Sequence, residues 1–153
     1  MRRFLLSFLL LAAILVGAVF FVAVKQSSPE KPGVATLRIP GKMTFEVEIA
    51  DNPLAQTLGL SGREQLEDGR GMLFIFPQPQ VQKFWMKGMR FPLDIVWINN
   101  DRIVGVLYGV EPDNSESPVI YESPEPVDKV LEVNSGEVAK YNIKVGDNIA
   151  ISN

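Results

Sequence analysis

The chain contains neither cysteine nor histidine. These absences exclude disulfide bonds, a thiolate nucleophile, a Ser-His-Asp triad, a Cys/His zinc site and histidine-ligated haem. General acid–base chemistry would have to use Asp, Glu, Lys or Tyr, and a metal ion would have to be a hard cation held by oxygen atoms. We therefore expect no catalytic constellation of a familiar kind, no metal site and no cofactor.

Positive charge is scarce beyond the N-terminus. Two of the 15 basic residues are Arg2 and Arg3, so the chain after residue 24 has 13 Lys and Arg against 18 Asp and Glu, a net charge of −5. Such a charge disfavours binding to a phosphate backbone. We expect no nucleic-acid partner.

Residues 4–24 form a run of 21 uncharged, mostly apolar residues. As a helix rising about 1.5 Å per residue, the run would span about 31 Å, close to the thickness of a bilayer core. A cleaved secretory signal has a shorter apolar region of about 7–15 residues and a small-x-small cleavage site, which fits poorly here. We predict an uncleaved membrane anchor over residues 1–24, with a cleaved signal, and hence a secreted or periplasmic protein, as the alternative.

The flanks of this run set its orientation. Arg2 and Arg3 precede it, which places the N-terminus in the cytoplasm and the remainder of the chain outside the cell membrane. Residues 25–33, KQSSPEKPG, have the composition of a linker. Residues 34–153 are then predicted to form a single β-rich extracytoplasmic domain.

Short apolar segments separated by Pro, Gly and Asn dominate this predicted domain and are typical of β-strands. The predicted strands are residues 34–39, 43–50, 72–76, 84–86, 93–98, 102–110, 127–133 and 149–151, with residues 119–121 as a further edge strand. A short helix is predicted after Asn52-Pro53, a helical turn at the Ser61–Glu64 capping box, and a helix capped by Asn134. Residues 111–128, with four prolines, six acids and no Lys or Arg, are predicted to be a long acidic loop without the spacing of a calcium site.

Several motifs follow one another in an order that resembles a known family. They are Gly59-Leu60-Ser61-Gly62-Arg63, Gly71-Met72-Leu73-Phe74-Ile75-Phe76, Phe84-Trp85-Met86-Lys87 with Pro92-Leu93-Asp94-Ile95, and Val130-Leu131-Glu132-Val133 with Gly136 and Val145-Gly146-Asp147. On these motifs, residues 36–151 resemble the domain of unknown function family 192, a group of small prokaryotic domains that are often exported. The resemblance implies a compact, mainly β domain with one or two short helices, and no established activity. Gly88-Met89 stands where the family usually has Asn-Thr.

The fold class expected from both arguments is a mainly β domain, a compact sandwich or barrel-like structure with one or two short helices, preceded by one N-terminal transmembrane helix. Five aromatic residues in the central stretch are interpreted as core, with a stacking platform as the alternative. They are Phe74, Phe76, Phe84, Phe91 and Trp97.

Four residues are candidate binding residues. If residues 84–87 and 94–97 pair as an antiparallel hairpin, Lys87 falls opposite Asp94 and Trp85 opposite Val96. One hypothesis is a pocket floored by Trp85, with the Lys87/Asp94 pair at its mouth and Arg63 nearby, suited to an anionic or sugar-like ligand. The alternative is a cross-strand salt bridge beside a core tryptophan, with Arg63 as a structural arginine.

Two classes of function are compatible with these residues. The first is a membrane-tethered extracytoplasmic binding or accessory module that acts on an envelope component or a partner protein. The second is a small hydrolase or lyase that uses carboxylate and lysine. The first is favoured because no nucleophile and base can be paired without His or Cys, and no pair of acids is placed for glycoside chemistry.

Overall fold

The structure is a computed structural model that describes residues 33–152. The predicted membrane segment, residues 4–24, and linker residues 25–32 lie outside the described residues. Within residues 33–152, neither of the helices has the length and apolar composition that crossing a bilayer requires.

Nine strands and two short helices make up the described residues. The strands are β1 Val34–Ile39, β2 Met43–Ala50, β3 Arg70–Gln80, β4 Lys83–Phe84, β5 Leu93–Asn99, β6 Arg102–Val110, β7 Tyr121–Glu122, β8 Val127–Asn134 and β9 Ala150–Ser152; the helices are α1 Pro53–Leu58 and α2 Glu137–Lys140. The prediction of a mainly β domain with two short helices is confirmed.

Seven of the strands form one mixed sheet in the order β6-β5-β8-β3-β2-β1-β9. Neighbouring strands are antiparallel except β2 and β3, which are parallel and are connected through α1 and the loop that follows it. The two edges of the sheet approach each other at one corner, where the amide of Ile103 donates to the carbonyl of Asp147 at 2.9 Å and Arg102 bridges Asn148. β4 and β7 form a separate two-stranded ribbon.

The β1–β2 hairpin is the prediction that the structure reproduces most fully. Its register pairs Ile39 with Met43 across the predicted Pro40-Gly41 turn. Phe45 and Val47 are buried whereas Thr44 and Glu46 are exposed, because alternate side chains of a strand point to opposite faces.

Both faces of the sheet are covered. One face packs a core that includes Leu37, Val47, Val96 and Leu131. The opposite face packs a second core, in which Phe74, Ile95, Trp97 and Val130 of the sheet contact side chains of the connecting loops such as Leu60 and Met86. These loops therefore serve as the second layer of the domain.

The helix after Asn52 forms as predicted. Oδ1 of Asn52 accepts a hydrogen bond from the amide of Ala55 at 2.9 Å, Pro53 occupies the first turn, and Gly59 ends the helix with φ of 51°. The α1 helix is tied to the sheet by Gln56, whose Nε2 donates to the carbonyl of Ile75 at 2.8 Å.

The helical turn predicted at Ser61–Glu64 is wrong. The backbone there forms a turn without helix, the hydroxyl of Ser61 donates to the carbonyl of Lys87 at 3.2 Å, and Glu64 pairs with Arg90. The polar side chains that suggested a capping box instead bond to a distant loop, so local sequence could not distinguish the two uses.

The helix predicted near Asn134 exists as α2, but its cap is different. Asn134 belongs to β8 and its Nδ2 donates to the carbonyl of Leu66 at 2.9 Å, which leaves Gly136 at the N-cap position. The free amides at the start of α2 are instead bound by Asp94 from β5.

Candidate functional site

A cavity of about 310 Å³ lies on the loop-covered face of the sheet, between α1, the end of β3 and β4. Its lining is mostly apolar and aromatic, with a few polar groups, as is usual for ligand pockets. It is lined by Pro53, Gln56, Thr57, Leu58, Gly59, Leu60, Ser61, Phe74, Phe76, Gln82, Lys83, Phe84, Trp85, Met89 and Glu132.

The aromatic wall of the cavity is a packed cluster. The ring of Phe84 contacts Phe74 edge to face at a centroid distance of 4.9 Å and Trp97 in the same manner at 5.5 Å. Phe74 and Trp97 are buried core residues, as the sequence predicted, whereas Phe76 and Phe84 are only partly buried and line the cavity. The wall is thus a set of mutually packed rings on β3, β4 and β5.

Glu132 is the acidic residue of the cavity lining. It lies on β8, flanked by Ile95 of β5 and Met72 of β3, and only 5% of its surface is exposed. Burial raises the pKa of its carboxyl to about 8, and neither a hydrogen bond nor a neighbouring charge offsets that effect. The side chain is therefore largely a neutral acid at neutral pH and has no cationic partner among the described residues.

Gln82 is a second buried polar residue of the lining. Its backbone is fixed by Ser123, because the amide of Gln82 donates to Oγ of Ser123 and the amide of Ser123 donates to the carbonyl of Gln82, both at 3.0 Å. Its side chain is 6% exposed, and its Nε2 has no hydrogen-bond partner among the described residues. Such a buried amide destabilises the free protein, and an acceptor on a ligand would reach it only if the side chain turned toward the cavity.

The mouth of the cavity carries one exposed aromatic and one paired lysine. Trp85 is 51% exposed. Lys83 forms an ion pair with Glu122 on the neighbouring strand, with 2.8 Å between Nζ and Oε1. The positive charge at the rim is therefore balanced locally.

The hairpin that would have paired Lys87 with Asp94 does not form. β4 ends at Phe84 and pairs with β7, while Asp94 pairs with Val133 of β8. Val96, which was expected opposite Trp85, pairs instead with Val106 and Leu131. The predicted register is wrong because it requires a strand that continues through Met86, whereas β4 ends at Phe84.

Asp94 is a fully buried structural carboxylate. Its Oδ1 accepts from the amide of Gly109 at 2.8 Å, and its Oδ2 accepts from the amides of Gly136 and Val138 at 3.0 Å each. It therefore joins β5, β6 and the start of α2. Because Asp94 and its strand neighbour Ile95 point to opposite faces, Asp94 lies on the other side of the sheet from Glu132.

The other candidate binding residues are separated in the same way. Trp85 lines the cavity. Lys87 is exposed on the loop that follows it, and its carbonyl rather than its ammonium is the group in contact with Ser61. Arg63 forms a two-pronged ion pair with Glu48, with 2.8 Å between Nη2 and Oε2, and this pairing raises the pKa of Arg63 and lowers that of Glu48.

Of the four residues, the structure places only Trp85 at the cavity, and it adds Glu132 and Gln82, which the sequence analysis did not select as site residues. One signal for Glu132 was present in the sequence, because it is the single acid within the apolar run Val130–Val133. Gln82 lies in a polar stretch and gave no such signal.

Fold and site together define a small mixed-β domain with an aromatic-lined cavity, and the buried acid in its lining has no cationic partner within residues 33–152. Residues 35–151 match the model of the DUF192 family, described as "Uncharacterized ACR", and the chain belongs to this family. The resemblance drawn from its motifs is confirmed.

Several solved structures resemble this chain. A putative transcription regulator from Sinorhizobium meliloti 1021 is 30% identical, with a TM-score of 0.71 over 80% of this chain and 97% of that chain. A protein of unknown function from Novosphingobium aromaticivorans DSM 12444 is 29% identical, with a TM-score of 0.70 over 83% of this chain and 90% of that chain. No curated protein matches the chain.

Proposed function

We propose that the protein is a membrane-tethered extracytoplasmic binding module and that the cavity around Glu132 is its binding site. The observation that carries the proposal is a buried acid in the lining of the cavity: Glu132 is 5% exposed and its pKa is raised by burial alone. Gln82, a second buried polar residue of the lining, has an Nε2 without a hydrogen-bond partner among the described residues. Natural cores rarely keep such groups, since each one costs free energy in the unliganded protein. A ligand that satisfies them explains their presence.

The shape of the cavity supports a small ligand or the end group of a larger one. Its volume of about 310 Å³ is at the lower end of the range for ligand sites, about 300–1,000 Å³. The aromatic wall of Phe74, Phe76 and Phe84 favours an apolar or flat body, and Trp85 at the mouth is exposed enough to close over it. We therefore expect a ligand with an apolar part and a polar end that reaches Glu132.

Tethering and export are supported by the sequence of the N-terminal segment. Residues 4–24 carry no charge and follow Arg2 and Arg3, which favours a single-pass anchor with its N-terminus in the cytoplasm. A domain held in this way outside the cell membrane would meet a component of the envelope or a partner protein. This part of the proposal is independent of the cavity.

The binding proposal is tested with the full chain purified in a non-ionic polyoxyethylene detergent. A library of envelope sugars, amino acids, amines and short peptides is screened by thermal shift, and hits are repeated with Gln82→Leu. A ligand at about 100 times its Kd should add about 2.7 kcal/mol to the wild type. If the thermal shift is lost in Gln82→Leu and retained in Lys87→Met, the cavity is supported as the binding site. If the ligands shift Gln82→Leu as much as the wild type, the cavity is not their binding site.

A second candidate function, a hydrolase or lyase, is favoured by one observation. The pKa of Glu132 is raised to about 8 inside a cavity that also contains Lys83, and general acids and bases are often tuned in this way. If Glu132 is a catalytic acid, Glu132→Gln should abolish turnover of a screened ester, amide or glycoside while ligand binding persists. Turnover that survives this substitution would rule out this role.

A further inference from the structure

We infer that the polar end of the ligand is an organic ammonium ion, held between the Glu132 carboxylate and the aromatic wall of the cavity. This inference rests on the proposed binding function and specifies the chemistry of the ligand. It follows from the charges that face the cavity, from the nature of its wall, and from the coupling between ligand charge and the protonation of Glu132.

The charges of the lining residues favour a cationic ligand over an anionic one. Of the fifteen lining residues only Glu132 and Lys83 are ionisable, and Lys83 is paired with Glu122. The faces that α1 and the following loop turn to the cavity carry Gln56, Thr57 and Ser61, which are uncharged, as are the strand neighbours Met72 and Ile95. The cavity thus holds one acid, and the single cation among its lining residues is already paired, so a cationic ligand would be the partner of the ionised carboxylate, whereas an anionic ligand would oppose its ionisation.

The aromatic wall of the cavity also favours a cationic ligand. The aromatic residues Phe74, Phe76, Phe84 and Trp85 line the same cavity as Glu132. Aromatic faces attract cations by about 0.5–2 kcal/mol each, and cages of aromatic rings with an acid are the usual sites for ammonium groups. A neutral sugar or alcohol would use the stacking surface but would leave the acid without a charge partner.

Binding of a cation should be coupled to the loss of a proton from Glu132. A cation beside Glu132 favours its ionised form, so binding must release the proton that burial retains. Affinity for an ammonium ion should therefore increase as the pH rises toward about 8, the pKa of Glu132 in the free protein. A neutral ligand that accepts a hydrogen bond from protonated Glu132 should show the opposite pH dependence.

The test compares choline with its neutral carbon analogue, in which a tert-butyl group replaces the trimethylammonium group at almost unchanged shape. Both are titrated by calorimetry into the full chain in non-ionic detergent, at pH 6 and pH 9. Repeating the titration at pH 7 in two buffers of different ionisation enthalpy measures the protons released on binding. The variant Glu132→Gln keeps the shape of the acid, and Glu137→Gln is the matched control, since Glu137 is also a buried carboxyl with a raised pKa but does not line the cavity.

For the wild type and Glu137→Gln we expect choline to bind at least about tenfold more tightly than its analogue at pH 9, with a smaller difference at pH 6 and close to one proton released at pH 7. Glu132→Gln should remove the preference, the pH dependence and the proton release together. If the carbon analogue binds as tightly as choline at pH 9, the ammonium inference is wrong, although the cavity remains a binding site. If neither probe nor any member of the library binds, the proposed binding function fails as well.

Discussion

Among single residues, burial of Glu132 has two opposing effects on its ionised form. Burial in an apolar environment destabilises its ionised form, and the same burial prepares it for a partner that brings positive charge. Its pKa is raised in the folded state, so the folded protein holds the proton more tightly than the unfolded chain does. Stability from this group is therefore complete below the ordinary pKa of 4.5 and is lost as the pH rises through about 8.

Because folding raises the pKa of Glu132, the stability of the protein should depend on pH. The free energy of unfolding of the wild type should fall between pH 4.5 and pH 8 relative to Glu132→Gln, by up to about 5 kcal/mol. The comparison is made by urea denaturation of both proteins across this range. Glu137 contributes in the same direction to both proteins, so the difference between the curves isolates Glu132. Parallel curves would mean that Glu132 titrates as it does in water.

Asp94 gives the second prediction at this scale. Replacing it with Ala leaves three amides without their acceptor, of which that of Val138 is buried, and we expect a loss of about 3 kcal/mol in the free energy of unfolding. Asp94→Asn should cost less because the amide oxygen still accepts. Urea denaturation measures both.

Lys87→Met is the control for Asp94. It should change stability by no more than about 0.5 kcal/mol, and the double variant Lys87→Met/Asp94→Asn should be additive, because the two side chains lie on separate parts of the structure. A coupling energy above about 1 kcal/mol would instead indicate that Lys87 and Asp94 form the salt bridge predicted from the sequence.

At the scale of elements, the close approach of β3 and β8 places Glu132. A Cβ on Gly71 would lie 2.8 Å from the carbonyl oxygen of Glu132 and 3.2 Å from side-chain atoms of Leu131 and Val133. Gly71→Ala should therefore push the two strands apart, destabilise the protein by about 1–3 kcal/mol and weaken binding in the cavity. Gly33→Ala is the matched control, since its Cβ would make only ordinary contacts at 3.9 Å. Equal stability of the two variants would contradict this account.

The elements also show what the sequence could and could not predict. β1, β2 and β5 were predictable because alternation or a continuous apolar run is encoded within each strand. The helix caps at Ser61 and Asn134 were mispredicted because their side chains bond to Lys87 and Leu66, which are distant in sequence. Local patterns carry no information about which distant backbone group a polar side chain will reach.

The site was harder to predict than the fold for the same reason. The polar residues that stood out, Lys87 and Asp94, were conspicuous within the central stretch, yet the cavity takes its acid from β8 and its amide from the turn before β4. Only the sheet order, with β8 between β5 and β3, brings Glu132 beneath the aromatic residues. The spacing of residues within one strand does not indicate which distant strand it will pair with.

At the scale of the whole molecule, the prediction concerns topology. The full chain should fractionate with membranes and retain residues 1–24, because a run of 21 uncharged residues is long enough to span a bilayer. Membrane fractionation with N-terminal sequencing measures this. A soluble form that begins between Val24 and Pro32 would establish a cleaved signal instead. Replacing Leu10 and Val16 with Asp should release the chain from the membrane or prevent its insertion.

The position of β8 in the sheet has a consequence for the order of events during synthesis. Without β8 the sheet separates into β6-β5 on one side and β3-β2-β1-β9 on the other, so neither part can complete its core until residue 134 has been made. β9, at the end of the described chain, then closes against β1, the first strand. Sheets built from such distant pairings fold in about milliseconds to seconds, more slowly than domains with mainly local contacts. If residues 1–24 direct export as proposed, the nascent polypeptide should reach the translocation channel before its sheet is complete, in a state that the channel can thread.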